Sequence, residues 1–524
     1  MLNLSELRRD KLLDNLHTRF EREVIYTYVG DIILAVNPFK NTGANGQKTR
    51  DMYKGRGRKE LPPHPYGLVD RAFRKMLGAM QAQERDGVEG KLSQSILISG
   101  ESGAGKTEAT KVCLSHICGL STSAAEVAFK LMQTNPVMEA LGNAKTVRNS
   151  NSSRFGKHFD VQFDATGKVV GALTTAYLLE KPRICTHMVG ERNYHIFYML
   201  TKAPGDVRGP LSIGSWEEYK VLNQEGTAPD ARPSWDDNKE YALTHNALLS
   251  VGFTEESRAE LYSMYAVILH LGNLELTPTG NADDGCTVGP QAQLELCASL
   301  LKVSAESLAE ALTTKALSIA GDVTVKPLNT TQAHETRNAL STHIYMLAFS
   351  WCVGQMNDYV SRPNLATAGI ALLDIFGFEN FQVNGFSQLC INYTNESLQS
   401  LFIATIFKLE QDEYKAEGIE FEAVDYRDNQ PIIDLIAKRP NCVLAKVDEA
   451  SSMATGTDET AIMAMHDAFE GNAFAPYTKP KKASQINFII SHYAGEVIYT
   501  ITGCNYRDRT STPARVTGPL SSLR

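Results

Sequence analysis

Residues 100–107 read Gly100-Glu101-Ser102-Gly103-Ala104-Gly105-Lys106-Thr107, with the apolar run SILIS (95–99) before them and EATKVCLSHI (108–117) after them. A strand, a glycine-rich turn and a helix in that order make a loop that wraps phosphate. Glycines remove Cβ atoms so that successive N–H groups can face one oxyanion, and the start of the helix adds the positive end of its dipole. Residues 100–105 would therefore cradle nucleotide phosphates. Lys106 would reach the β and γ phosphates, and the Thr107 hydroxyl would ligate Mg2+. The competing reading, a glycine-rich surface turn, requires neither flank.

A phosphate loop specifies a nucleotide without specifying hydrolysis, so a second signal is needed. The run GIALL (369–373) is almost wholly apolar, as a strand buried on both faces should be, and it ends in Asp374. A carboxylate at that strand end can hold Mg2+ through water. It is followed by Ile375-Phe376-Gly377-Phe378-Glu379. A third segment, Asn149-Ser150-Asn151-Ser152-Ser153-Arg154-Phe155-Gly156-Lys157, is a polar, basic loop just ahead of a predicted strand. Each of the last two has a bland reading, a structural aspartate and a solvated loop. Together with the first they form the parts of one site.

The three segments resemble the myosin motor family, with GESGAGKT as its phosphate loop, NSNSSRFGK as switch I and DIFGFE as switch II. Kinesins share a similar phosphate loop, but their SSRSH and Asp-Leu-Ala-Gly-Ser-Glu switches are absent. The similarity extends over LPPHPYGLVDRAF (61–73), the stretch 135–159, YLLEKPRICTHMVGERNYHIFYML (177–200), 388–414 and HYAGEVIYT (492–500). It covers roughly residues 4–503. The fold it implies is α/β, a phosphate-loop NTPase core whose central sheet is mixed and mostly parallel, with flanking helices and a helical actin-binding subdomain.

By that resemblance, Thr107 and Ser153 would be the hydroxyl ligands of Mg2+, with Asp374 holding it through water. Ser152 would help position the attacking water, the Gly377 N–H would bind a γ-phosphate oxygen, and Arg154 and Glu379 would pair to seal the γ-phosphate pocket. Asn37, Pro38 and Asn149 would contact the nucleotide, which is ATP. The family places a tyrosine eight positions after the Asn of its Asn-Pro pair, whereas position 45 is Asn here. Weak discrimination between ATP and GTP follows. QAHETRNALSTHIY (332–345) resembles a segment near the family's actin contacts. F-actin would be met by Asp322 and by a small basic patch of Lys479, Lys481 and Lys482, the latter through electrostatic attraction.

Around these motifs the chain reads as a helix-covered sheet. Strand signals lie at 24–28, 32–36, 95–99 and 369–373, and HFDVQF and KVVGAL form a hairpin closed by Asp164-Ala165-Thr166-Gly167. Helical patterns cover 67–84, 124–133, 239–273, 331–358 and 386–417; the last is the relay helix by resemblance. At 524 residues, 43% hydrophobic and 21% charged, the chain can build a large core. Its net charge of −8 argues against a nucleic-acid partner. Nine sparse cysteines fit a reducing cytoplasm, and Cys113 and Cys118 read as structural thiols. No signal peptide or membrane span is legible.

The motor domain is expected over 1–503, with a disordered tail at 504–524 whose composition is rich in Ser, Thr, Pro and Arg. The family's converter and lever would follow that point, so the chain as written is expected to be truncated, non-motile, without light chains, and marginal or aggregation-prone because a sheet strand beside the phosphate-loop strand is missing. The function implied is an actin-based motor ATPase of the cytoskeleton. The alternatives are a non-motile, nucleotide-regulated actin-binding scaffold and a generic phosphate-loop ATPase.

Overall fold

All seven residues of the strand Ala368–Asp374 are buried, as its apolar sequence requires. The computed structural model describes residues 8–56, 60–87, 92–120, 125–228, 235–280, 285–319, 322–405, 409–420, 428–453, 456–471, 476–480 and 486–501. The chain divides into two units, one formed by the residues up to Ser99 and from Gly103 to Ile375, the other by Gly100–Ser102 and the residues from Phe376 onward.

In the first unit, Ala368–Asp374 lies between Gln94–Ile98, which runs parallel to it, and Gly156–Phe163, which runs antiparallel; Val169–Tyr177 pairs beyond. The register is what builds the site. Asp374 stands opposite Ile98 on one side and Lys157 on the other. Three segments far apart in sequence thus end at one corner of the sheet. The sequence predicts a mostly parallel sheet, but among the described residues one pairing is parallel and two are antiparallel. The cause is local: a tight hairpin must run antiparallel, and its first strand docks directly on the central one. Gly167 closes that hairpin at φ +79°, the conformation the turn needs.

Helices Pro65–Asp86, Lys106–Leu120 and Ala125–Gly142 cover the sheet, burying Met76, Leu114, Ile117 and Leu131 with Phe159, Val161, Ile370 and Leu372. Cys113 and Cys118 belong to the same core, and burial pushes both thiols up to about 12. The predicted helix 239–273 is two, Asp237–Ser250 and Glu255–Gly272. Gly252 turns left-handed between them, and Thr254 caps the second by accepting from the Ser257 N–H. Thr330–Val360 is continuous, started by an Asn329–Gln332 capping box, and its Tyr345 hydroxyl bonds the Leu141 carbonyl.

The second unit has its own core. Helices Phe386–Ile403, Gln430–Ala437, Val443–Ser452 and Asp458–Phe469 pack with a sheet of Tyr477–Thr478, Asn487–His492 and Gly495–Thr500 through Leu389, Ile436, Val447, Met465, Phe488 and Val497. The predicted helix 386–417 is resolved as Phe386–Ile403 and Leu409–Ala416, with 406–408 outside the described residues. The tail 504–524 also lies outside them. No helix among the described residues is long and apolar enough to cross a membrane.

Candidate functional site

Gly103 and Gly105 adopt φ of +82° and +93°, conformations that a side chain at those positions would strain. The helix begins at Lys106, so the loop delivers its last N–H groups at a helix N-terminus. Asn37 braces it from outside, with its Nδ2 donating to the Gly103 carbonyl at 2.7 Å while its Oδ1 accepts from the Phe39 N–H. Pro38 follows Asn37 in the chain.

The three residues expected around Mg2+ are brought together in the first unit. Thr107 Oγ1 is 3.3 Å from Ser153 Oγ, and Asp374 lines the same cavity as Thr107, Thr110 and Ser153. Thr107, Ser153, Asp374, Asn143, Glu139 and Lys157 line one small cavity of about 20 Å³. Two hydroxyls at that spacing and a carboxylate are hard oxygen donors, and their separation approximates that of neighbouring ligands around a cation with bonds of about 2.1 Å. The buried Asn143 Oδ1 has no hydrogen-bond partner among the described residues, and Asn143 lines the same cavity. The donor set at this corner therefore fits Mg2+. Burial pushes the Asp374 carboxyl up, opposed by Lys106, Thr107 and Lys157. Burial pulls Lys157 down to about 8 against the pull of Asp374 and Glu139, and its Nζ is committed to Asn135 Oδ1 at 2.7 Å.

The loop that carries Ser152 and Ser153 is fastened at both ends by a buried charge ladder. Arg154 Nε is 2.8 Å from Glu180 Oε2, and Arg183 Nε shares the same oxygen at 2.5 Å. Arg183 also reaches Glu191 at 2.7 Å, and the other Glu191 oxygen accepts from the Val147 N–H at 3.2 Å. Burial would raise the Glu180 carboxyl, but Arg154 and Arg183 outweigh it and hold it at about 2. Ser152 Oγ is 3.5 Å from Arg154 NH1, and Asn149 accepts from the Asn151 N–H. Sequence reading missed Glu180, Arg183 and Glu191. Their signal is charge inside an otherwise apolar stretch, 177–200, which is unusual unless the charges pair.

In the second unit, Gly377 lies against Gly100 and Glu101. A Cβ there would stand 2.7 to 2.8 Å from the Glu101 carbonyl carbon and Cα and would collide with the Gly100 carbonyl oxygen. Glu379 is buried; its N–H and carbonyl are both bonded at 2.8 Å by the Asn392 amide, and Gln388 Nε2 reaches its carboxylate at 3.3 Å. Asn395 holds the Phe376 carbonyl at 3.2 Å. Arg154 and Glu379 belong to different units.

The remaining expected residues are placed as follows. Asn45 turns toward an aromatic cluster: its Oδ1 accepts from the Tyr26 hydroxyl at 3.2 Å and lies 3.1 Å from His64 Nε2, and its carbonyl accepts from Tyr66. Asp322 opens the strand Asp322–Pro327, paired with Thr314–Ile319, and its side chain lies outside the described residues. Lys479 is 3.0 Å from Glu470, an ion pair that offsets its charge. Lys481 and Lys482 lie outside the described residues.

The sequence model of the myosin head (motor domain) matches residues 1–513. Myosin-17 of Arabidopsis thaliana is 39% identical over 507 residues, covering 95% of this chain and 32% of its own length. The unconventional myosin heavy chain 6 of Caenorhabditis elegans is 37% identical over 100% of this chain and 24% of its own. For human unconventional myosin-XV the identity is 39%, over 96% of this chain and 14% of its own. The chain thus spans about a third or less of these relatives. The corner where phosphate loop, polar loop and acidic strand end meet is accordingly that of a known lineage, and the chain belongs to the myosin head (motor domain) family.

Proposed function

We propose that this chain binds and hydrolyses Mg·ATP and couples that chemistry to binding of F-actin, in the cytoplasm at the actin cytoskeleton. The observation that carries the reading is the meeting of Thr107, Ser153 and Asp374 at the sheet corner beside the phosphate loop. Mg2+ bound there would be held by the two hydroxyls, with Asp374 acting through water, and would neutralise charge on the β and γ phosphates. The N–H groups of residues 100–105, together with Lys106, bind and orient the phosphates, while Asn37 and Asn149 hold the nucleotide's flank.

Phosphoryl transfer asks the protein for positioning and charge stabilisation more than for covalent chemistry. Ser152 positions the attacking water. Gly377 donates its N–H to a γ-phosphate oxygen, and the Arg154–Glu379 pair excludes bulk water. Asn392 and Asn395 on Phe386–Ile403 are the handles that register a shift of the 376–379 backbone, because both bond that backbone directly. Asp322 and the lysines at 479, 481 and 482 are the actin-facing groups.

Actin co-sedimentation with and without ATP tests the reading. Binding released by ATP is the expected result. Binding unaffected by ATP would replace it with a scaffold, and absence of binding with a phosphate-loop ATPase unconnected to actin.

A further inference from the structure

One side chain of the polar loop has no role in the chemistry above and yet is held at every polar atom. Asn151 stands between Ser150 and Ser152. Its Oδ1 accepts from Asn143 Nδ2 at 3.0 Å and lies 3.1 Å from His195 Nε2, while its Nδ2 donates to Glu139 Oε2 at 3.1 Å. Glu139 sits on Ala125–Gly142, and its other oxygen is 2.8 Å from Lys111 Nζ on Lys106–Leu120. Burial works against the Lys111 ammonium, but Glu139 and Glu108 outweigh it and keep it charged. Glu139 also lines the cavity bounded by Thr107, Ser153 and Asp374.

The consequence is geometric. Thr107 is fixed to the start of one helix and Ser153 to the short strand Ser152–Ser153, which pairs with Asn143–Ala144, and their hydroxyls are useful to one cation only at a set separation. Lys111, Glu139 and Asn151 run from that helix to the residue before that strand by two polar contacts. A carboxylate suits the middle position because it accepts from an amide on one side and pairs with an ammonium on the other.

We propose that Glu139 is a positioning residue for the nucleotide site, a bracket that holds Asn151, and with it Ser152 and Ser153, at a fixed distance from Lys106 and Thr107. Its effect on ligand binding rests on the Mg·ATP reading, whereas the geometry it fixes is present without ligand. A purely structural role, packing one helix on another, would depend on the Lys111 contact and not on the atom facing Asn151.

The test uses the full chain in three variants, Glu139→Ala, Glu139→Gln and Asn151→Ala, with two readouts. The first is amide hydrogen exchange of residues 149–153 without nucleotide, and the second is affinity for a fluorescent ATP analogue with Mg2+. Loss of a buried hydrogen bond to a charged group should speed exchange across 149–153 by about tenfold or more in Glu139→Ala and in Asn151→Ala, with a comparable loss of affinity. Glu139→Gln keeps an acceptor for Asn151 and should stay within about threefold of wild type in exchange. Wild-type exchange in Glu139→Ala overturns the proposal, as does equal acceleration in the glutamine and alanine variants. Should Glu139→Ala not fold, the Gln and Asn151→Ala variants decide alone, since Asn151→Ala leaves the Lys111 pair intact. A wild-type chain that binds no analogue would sink the Mg·ATP reading, and the exchange comparison would still decide the bracket.

Discussion

Lys106 is the one cation within residues 100–107, and its position at the start of the helix aims it where phosphate charge accumulates. The nearest comparable cation in the cavity wall, Lys157, is buried and spent on Asn135. Lys106→Ala should therefore abolish binding of a fluorescent ATP analogue with Mg2+, and an unchanged affinity would refute the assignment. Gly377 poses a different single-residue problem, because its backbone presses on Gly100 and Glu101 with no room for a Cβ. Gly377→Ala should destabilise the chain by about 1 to 3 kcal/mol in a urea melt and reduce hydrolysis, as overpacking does elsewhere. A variant with the wild-type melting curve and rate would show that this contact has slack.

Among the elements, Gln94–Ile98 is an edge strand of the central sheet. Ala368–Asp374 covers one of its edges, and no strand among the described residues covers the other. Leu97 is 37% exposed in the apolar run SILIS. An edge strand with an exposed leucine invites pairing with another chain. Light scattering should therefore report self-association at concentrations on the order of 10 µM, and Leu97→Lys should suppress it. A wild-type chain that stays monomeric in the same range would count against the idea. The contrast between this strand and its neighbour marks what a sequence can say about elements. The loop 100–107, the Gly167 hairpin and the Asp374 strand end are written in adjacent residues, so their type and chemistry are legible. Strand order is not, because Ala368–Asp374 inserts between strands more than two hundred residues upstream. The Arg154–Glu180–Arg183–Glu191 ladder and the Lys111–Glu139–Asn151 bracket escape notice for the same reason: each joins polar or charged side chains from separate segments, so the partners cannot be matched from local sequence. The break at Gly252 was signalled by Gly252 and Thr254, but a strong apolar pattern on both sides masks it.

Across the whole molecule, buried and half-buried imidazoles shape how stability responds to pH. Eight of the twelve histidines, His64, His116, His158, His187, His245, His270, His334 and His466, are pulled below the usual imidazole range, each first by burial. His64 falls to about 4 and His116 to about 3. The unfolded chain takes up these protons from about pH 6.5 downward while the fold still refuses them, so stability is full above that point and drops as the pH falls toward the folded values. Asp160 and Asp374 are pushed up by burial and oppose this, but only near the ordinary carboxylate range. Glu180, held at about 2, adds a further loss below its ordinary value. At pH 5 each deeply buried imidazole costs up to about 2 kcal/mol, a sizeable part of the 5 to 15 kcal/mol that a domain possesses. His116 isolates the effect, since it stacks on Tyr66 at 4.7 Å and neither of its ring nitrogens has a hydrogen-bond partner among the described residues. His116→Phe keeps the stack and removes a buried polar ring, so it should be neutral or stabilising at pH 8. Melting temperatures taken from pH 8 to pH 5 should fall for both chains and fall less steeply for the variant. Parallel curves would mean that His116 is protonated, or exposed, in the native state.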